Sequence, residues 1–230
     1  MGETPELRSA PASAPGTGPN SHVVHAPPRA SAPPPALLGI IFHSMIPELE
    51  TTRLWLRPLQ LADAAQAQAL FPQWEIVRYL SAKVPWPYPP DGTHTFYRDV
   101  VLPGMERGER WDWTLRLKTE PGQLIGSIRL MQGESKNRGF WVGLPWQGKG
   151  LMSEACDLAT DFWFDFLKFP LLRARKAVAN TASRRISEKQ GMRLTAREER
   201  DYVSGRLPTE VWEITAAEWH AHRAGRLAPG

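Results

Sequence analysis

Cysteine is nearly absent from this sequence: Cys156 stands alone among 230 residues. An intramolecular disulfide framework is therefore excluded, which points to a reducing, cytoplasmic setting. Long hydrophobic runs are missing too. The longest near the start, 36–42, falls far short of the roughly 20 residues that cross a bilayer, and no basic cluster marks a signal peptide, so no membrane association is expected. Histidine is sparse and badly spaced for a metal: His22, His25, His43, His94, His220 and His222 form no ligand pattern with the lone cysteine, and no metal is expected. Positive charge is in small excess, +4 overall, and the arginines are scattered rather than gathered in a stripe with interleaved aromatics. A nucleic-acid partner is not expected on that pattern.

What is present suits one packed core. Hydrophobic residues make up 42% of the chain and include ten tryptophans. Residues 1–44 differ from the rest, being dense in Pro, Ala, Ser and Gly with almost no charge, as in 32–36 (Ala-Pro-Pro-Pro-Ala). Such a stretch buries too little apolar surface to offset its conformational entropy, so it reads as a disordered extension. The domain is expected over 45–220, with a short tail at 221–230.

Strands and helices alternate from Glu48 onward. Residues 53–58 read as a first strand, 63–70 as an Ala-rich helix, 74–80 as a second helical stretch, and 84–90, with four prolines, as an extended loop. A helix capped by Thr93 is expected over 93–105. Strict alternation over 111–118 predicts a half-buried strand, and a turn at 120–122 returns the chain as a hairpin strand over 123–130. A strand over 138–142 precedes a long amphipathic helix over 148–168, followed by a strand at 172–179, a helix at 182–190 and strands at 194–202 and 210–214. The class is α/β (α+β).

The chemistry concentrates in 140–152, Phe-Trp-Val-Gly-Leu-Pro-Trp-Gln-Gly-Lys-Gly-Leu-Met. A strand ends, glycines follow, and a helix begins. Glycine lets backbone approach a ligand, and the first free N–H groups of a helix bind phosphate, with Lys149 adding charge. Two phosphate-binding readings compete. Gly143, Gly148 and Lys149 nearly complete a P-loop, but Gly150 stands where magnesium would need Ser or Thr.

The other reading is the pyrophosphate loop of the GNAT acetyltransferases, Gln/Arg-x-x-Gly-x-Gly/Ala, which Gln147, Gly148, Gly150 and the following Leu151 and Met152 resemble, with Met152 in the final small position. Downstream, Asn180 and the run Glu188-Lys-Gln-Gly191-Met192 resemble the family's second signature. The opening at Thr51, Thr52, Arg53, Leu54, Arg57 and Pro58 and the hairpin's Leu124, Gly126 and Ile128 extend the match, which looks most like the RimJ/RimL branch over about residues 48–219.

That resemblance implies the GNAT fold, a central, mixed, mostly antiparallel sheet with a splayed parallel strand pair. It implies acetyl-CoA as co-substrate, with the pantetheine arm along Trp141, Val142 and Gly143, the pyrophosphate on Gln147, Gly148, Lys149, Gly150, Leu151 and Met152, and Asn180 against the arm. Asn180 equally suits a helix N-cap. The implied reaction carries acetyl to a primary amine, a protein N-terminus or a small molecule, in a monomer or homodimer; a non-catalytic acyl-CoA-binding module is the alternative.

The relatives' catalytic Glu slot holds Asn137 and their Tyr slot Ser187. Ser183 is the candidate partner of the departing sulfur, against a cap role. Glu134 is the nearest carboxylate, against a solvated turn residue. Trp86 and Tyr88, in the Pro-rich loop, are candidates for the acceptor site, against simple loop anchoring.

Overall fold

Two antiparallel sheets organise the computed structural model, which describes residues 46–227. The extension expected over 1–44 lies outside the described residues, as do Met45 and 228–230.

The first sheet runs β1-β2-β3-β4-β5, with β1 at Leu49–Glu50, β2 at Leu54–Pro58, β3 at Arg110–Leu117, β4 at Glu120–Met131 and β5 at Arg138–Val142. Helices α1 (Ala64–Leu70), α2 (Trp74–Val77), α3 (Gly92–Phe96) and α4 (Leu102–Glu106) join β2 to β3, the last two linked by a π turn at Tyr97–Val101. After β5, helix α5 (Leu151–Asp161) runs into a second π turn, Phe162–Phe166. The second sheet is ordered β6-β8-β7, from β6 (Leu171–Ala177), β7 (Arg193–Tyr202) and β8 (Gly205–Thr215); α6 (Thr181–Lys189) follows β6, and α7 (Ala216–Leu227) follows β8.

The sheets meet where β5 and β6 begin. The Asn137 amide donates to the Arg173 carbonyl at 2.7 Å, and no ladder bond joins the two strands beyond it among the described residues. The expected splay is thus a parting of two antiparallel sheets. The main core lies on the α5 side, where Leu54, Leu56, Trp113, Ile128, Leu130, Ala155, Trp163 and Leu172 pack together; a smaller core under α1 holds Leu59, Ala67, Val101 and Leu124.

Several expectations change in the structure. Strand β3 is buried on both faces, not half-buried. Its polar positions are satisfied inside: Arg116 pairs with Asp63 at 2.6 Å, and Arg110 holds Asp112 at 2.7 and 2.8 Å. Alternation registers polarity, not exposure, and here α1, the Tyr97–Val101 π turn and α4 cover the second face. The hairpin turns at Lys118 and Thr119, so 120–122 belongs to β4. Helix α2 stops at Val77 because the β7–β8 hairpin claims the next carbonyls: Val203 N–H donates to Leu80 at 3.0 Å and Ser204 N–H to Arg78 at 3.2 Å. Thr93 is not a cap; α3 starts at Gly92, and the Thr93 amide donates to Gln68 Oε1 at 2.9 Å. At the other end, the expected domain limit at 220 falls inside α7, and residues 221–227, expected as tail, are helix. Trp219 is fully buried there, its indole N–H donating to Asp161 at 2.8 Å.

Candidate functional site

The segment between β5 and α5 is shaped by glycines. Gly143 N–H donates to the Ile125 carbonyl at 2.9 Å, and residues Leu144–Trp146 make one 3-10 turn. Gln147 turns its amide back to the Val142 carbonyl at 3.1 Å. Gly148 and Gly150 then take φ values of +74 and +76, a left-handed backbone that side-chain-bearing residues adopt only at a cost. The helix therefore starts at Leu151, later than the periodicity predicts, with Gly150 as its cap residue.

A Cβ built at Gly148 would meet nothing within 4 Å, so the backbone there faces open space. Among the described residues the amides of Gly148, Lys149, Gly150, Leu151, Met152 and Ser153 have no hydrogen-bond acceptor. Free N–H groups at the positive end of an eleven-residue helix, beside Lys149, form a cradle for an anion.

The cradle is braced from the start of the chain. Arg53 donates to the Lys149 carbonyl at 3.0 Å and to Glu154 Oε2 at 2.7 Å, its own amide reaches Glu154 Oε1 at 2.9 Å, and Thr51 Oγ1 bonds the same carboxylate. Burial works against the Glu154 carboxylate, but the hydrogen bonds from Thr51 and Arg53 outweigh it and hold its pKa below the usual range. Arg53 offsets a negative charge that would otherwise sit inside the first turn and repel an incoming anion. In the sequence Thr51 and Arg53 stand only as part of the opening motif, and nothing there singles out Glu154.

Across the split, Asn180 caps α6: its Oδ1 accepts from the Ser183 amide at 3.1 Å. Ser183 is therefore the third helical residue rather than the cap, and its hydroxyl is half-buried without a hydrogen-bond partner among the described residues. One turn on, Ser187 is fully buried and faces inward to Lys176, whose ammonium also donates to the Ser183 carbonyl at 3.3 Å. Burial, and then the nearby charge of Arg138, pushes Lys176 down to about 7. The second signature ends in a glycine for a visible reason: Gly191, at φ +70, turns the chain at the end of α6 and sends Met192 into the core.

The remaining candidates separate. Trp141 and Tyr88 are brought together by Phe71, whose ring lies 5.4 Å from Trp141 and 5.1 Å from Tyr88. Trp86 instead packs on Trp74 at 5.6 Å and stays largely exposed. Glu134 is exposed in the turn before β5, where its carbonyl, not its carboxylate, is bound by Arg173. Asn137 is buried and fully used: Oδ1 accepts from the Arg173 amide at 2.8 Å, and Nδ2 donates to Met131 and Gly133 carbonyls at 3.3 and 2.8 Å. Cys156 is buried, and burial pushes its thiol up to about 11.

Against known families, residues 53–193 match the model of the acetyltransferase (GNAT) domain. The chain belongs to the GNAT acetyltransferase family. Members take their acetyl group from acetyl-CoA, so this GNAT chain is an acyltransferase. It is 27% identical over 144 residues, 55% of this chain and 73% of the other, to the Bacillus subtilis protein YdaF, provisionally named a ribosomal N-acetyltransferase. RimL, a ribosomal L7/L12 α-N-protein acetyltransferase solved with coenzyme A, superposes with a TM-score of 0.62 at 15% identity, covering 72% of this chain and 95% of its own. Spermidine N-acetyltransferase from Vibrio cholerae, solved with CoA and spermine, gives 0.62 at 19% identity over 74% of this chain and 99% of its own. These likenesses place the chain among RimJ/RimL-like GNAT folds. No helix among the described residues is long and apolar enough to cross a membrane.

Proposed function

We propose that this GNAT protein transfers acetyl from acetyl-CoA to a primary amine, a protein N-terminal α-amine foremost, in the cytoplasm. The observation that carries the reading is the open cradle of unbonded amides from Gly148 to Ser153, set at the end of a strand that parts from its neighbour. In this reading the pyrophosphate lies on Gly148, Lys149, Gly150, Leu151 and Met152, with Gln147 fixing the loop. The pantetheine arm runs along Trp141, Val142 and Gly143 in the split, with Asn180 beside it.

The chemistry needs a neutral amine, donors for the carbonyl oxygen as charge builds on it, and a partner for the departing sulfur. An α-amine with a pKa of about 8 is partly neutral at physiological pH and needs little help from a base. Asn137, whose polar atoms are all engaged, supplies none. Strand amides of β5, exposed by the split, are the donors for the oxygen. Ser183, with its free hydroxyl at the start of α6, is the donor to the sulfur. Glu134 contacts none of these groups among the described residues, which weighs against its role as base.

A panel of amines, comprising N-terminal peptides, polyamines and aminoglycosides, incubated with acetyl-CoA and read by thiol release, tests the proposal. Transfer to at least one amine class is expected. CoA binding without transfer to any of them would leave a binding module instead.

A further inference from the structure

On the face of the β5/β6 split away from α5, basic side chains converge. Arg129 stands opposite Gly139 in the β4–β5 register, and a Cβ at Gly139 would lie 2.8 Å from Arg129 Nε. Only glycine lets this guanidinium lie across β5 toward the split. Asn137 and Arg173 pair at the strand starts, so Arg175, two residues on, stands level with Gly139 on the far bank. Lys136 precedes β5, and Arg200 of β7 is tied to Arg175 through the carboxylate of Glu198 that both hold.

These cations exceed the carboxylates available to them. Glu198 alone is shared, at 2.8 Å from Arg175 and 3.3 Å from Arg200. Asp112 is taken by Arg110 through two hydrogen bonds. Among the described residues neither Arg129 nor Lys136 has an ion-pair partner, and Arg129 Nε and Arg175 Nη1 are shielded from solvent without an acceptor. Burial, then the like charges of Arg129, Arg200 and Arg175, pushes Lys136 down to about 8. Unpaired cations under low exposure are costly to hold and are retained where an anion joins them.

The other side of the split is filled by the main core, so an acceptor reaches the thioester from this face. The aromatic group of Phe71, Tyr88 and Trp141 borders the same side. We infer that this face selects an acceptor amine carrying a carboxylate, held by Arg129, Lys136, Arg175 and Arg200. The inference rests on the proposed acetyl transfer and names its substrate class. The amine nitrogen bonds the acetyl carbon, the carbon–sulfur bond breaks, and the proton lost by the amine ends on the CoA thiol. The carboxylate takes no part in the step; it orients the amine. It comes either from an acidic side chain near a polypeptide N-terminus or from the carboxyl of a free amino acid.

The test compares C-terminally amidated peptides with Asp or Glu at the second and third positions against matched Asn, Gln and Lys peptides, beside free alanine against alaninamide. Acidic acceptors should show kcat/KM at least about tenfold above their neutral counterparts, the size expected of one charge-assisted contact. Preference confined to peptides assigns the polypeptide source, and preference confined to free amino acids the other. Arg200→Gln, at an exposed position, and Lys136→Gln, at a partly buried one, should raise KM for acidic acceptors while sparing neutral ones. Equal rates for acidic and neutral acceptors, or preference for the Lys peptides, would overturn the inference. If no amine is acetylated, acetyl transfer fails as a reading. Calorimetric binding of acidic against neutral peptides to the CoA-loaded protein still decides the present point: tighter acidic binding supports it and equal binding sinks it.

Discussion

Asn137 and Arg173 hold each other twice: the Asn137 amide donates to the Arg173 carbonyl at 2.7 Å, and the Arg173 amide donates to Asn137 Oδ1 at 2.8 Å. This is the point from which the two sheets diverge. Removing the side chain leaves the Arg173 amide and the Met131 and Gly133 carbonyls without that partner. Asn137→Ala should cost about 2–3 kcal/mol. Asn137→Glu, which would install a carboxylate base on paper, instead sets a negative group against two carbonyl oxygens; it should be no more active and at least as unstable. Denaturant midpoints and thiol release on both variants check this.

The anion cradle depends on backbone that glycine alone adopts freely. Gly150→Val should abolish CoA binding by calorimetry while the protein stays folded, because the β-branched side chain resists φ +76 and crowds the loop. Gly148→Ala is the milder case. Its Cβ meets no protein atom, so it costs only left-handed strain of about 1–2 kcal/mol, yet it fills the space an anion needs. Weaker CoA binding in that variant with near-native melting is the expected pattern.

Ser183 and Asn180 should behave oppositely. Asn180 is the cap, so Asn180→Ala loses about 1 kcal/mol of stability. Ser183→Ala keeps its capped amide and loses only a free hydroxyl, so stability should hold while kcat falls by roughly ten- to a thousandfold. Melting temperature and kcat measured on the same two variants decide it. A fully active Ser183→Ala would remove the serine from catalysis.

Lys176 makes stability depend on alkaline pH. Its folded pKa is about 7, against 10.5 unfolded, so between those values the unfolded chain holds about one more proton. Stability should therefore rise with pH from about 7, by an order of 1 kcal/mol per unit. The groups facing it are Arg138, which lowers its pKa, and Cys156, Glu210 and Glu188, which raise it. Cys156 offsets this slope above its ordinary 9.0, since its folded pKa of about 11 disfavours a thiolate that the unfolded chain forms freely. Urea unfolding at pH 6.5, 8 and 9 should show the rise, and Lys176→Met should flatten it between 6.5 and 8; Lys136, with a folded pKa of about 8, adds a rise of its own above that.

Truncation after residue 220 tests the extent of the domain. It removes the bond from His222 to the Lys189 carbonyl at 2.9 Å and the ion pairs of Arg223 with Asp161 and Arg226 with Asp157. His222 also packs over Gly191, and Trp219 lies one residue from the cut. A loss of about 1–3 kcal/mol is expected, read as a shifted denaturant midpoint; an unchanged midpoint would return these residues to the tail.

Much of this was legible in the residue order. The bounds of β5 follow from its short apolar run, and the glycines after it mark a backbone that leaves the helical region. Helix α6 shows its cap at Asn180 and its stop at Gly191. What could not be read depends on partners far along the chain. Arg53 and Glu154 are 101 positions apart, and nothing local says that one braces the other. The double burial of β3 depends on Asp63 accepting Arg116 across 53 positions. Helix α7 has a mostly polar face pattern and is anchored chiefly by one tryptophan, so periodicity alone understates it. Judged for acidity alone, the Asn137 slot holds a failed base; the structure gives it three carbonyl or amide partners instead.

Strand β3 has one more consequence. On an ordinary sheet with a wet face, every second position is free to drift among polar residues. Here Asp112, Thr114 and Arg116 are as enclosed as Trp113 and Leu115, and each charged one is matched to a specific partner. Substitution at those positions is constrained in pairs, so Arg116 cannot change alone without stranding Asp63. The chain's freedom to vary is displaced to the positions of β7 outside the Glu198 and Arg200 pair, on an edge strand whose side chains face solvent along nearly its whole length.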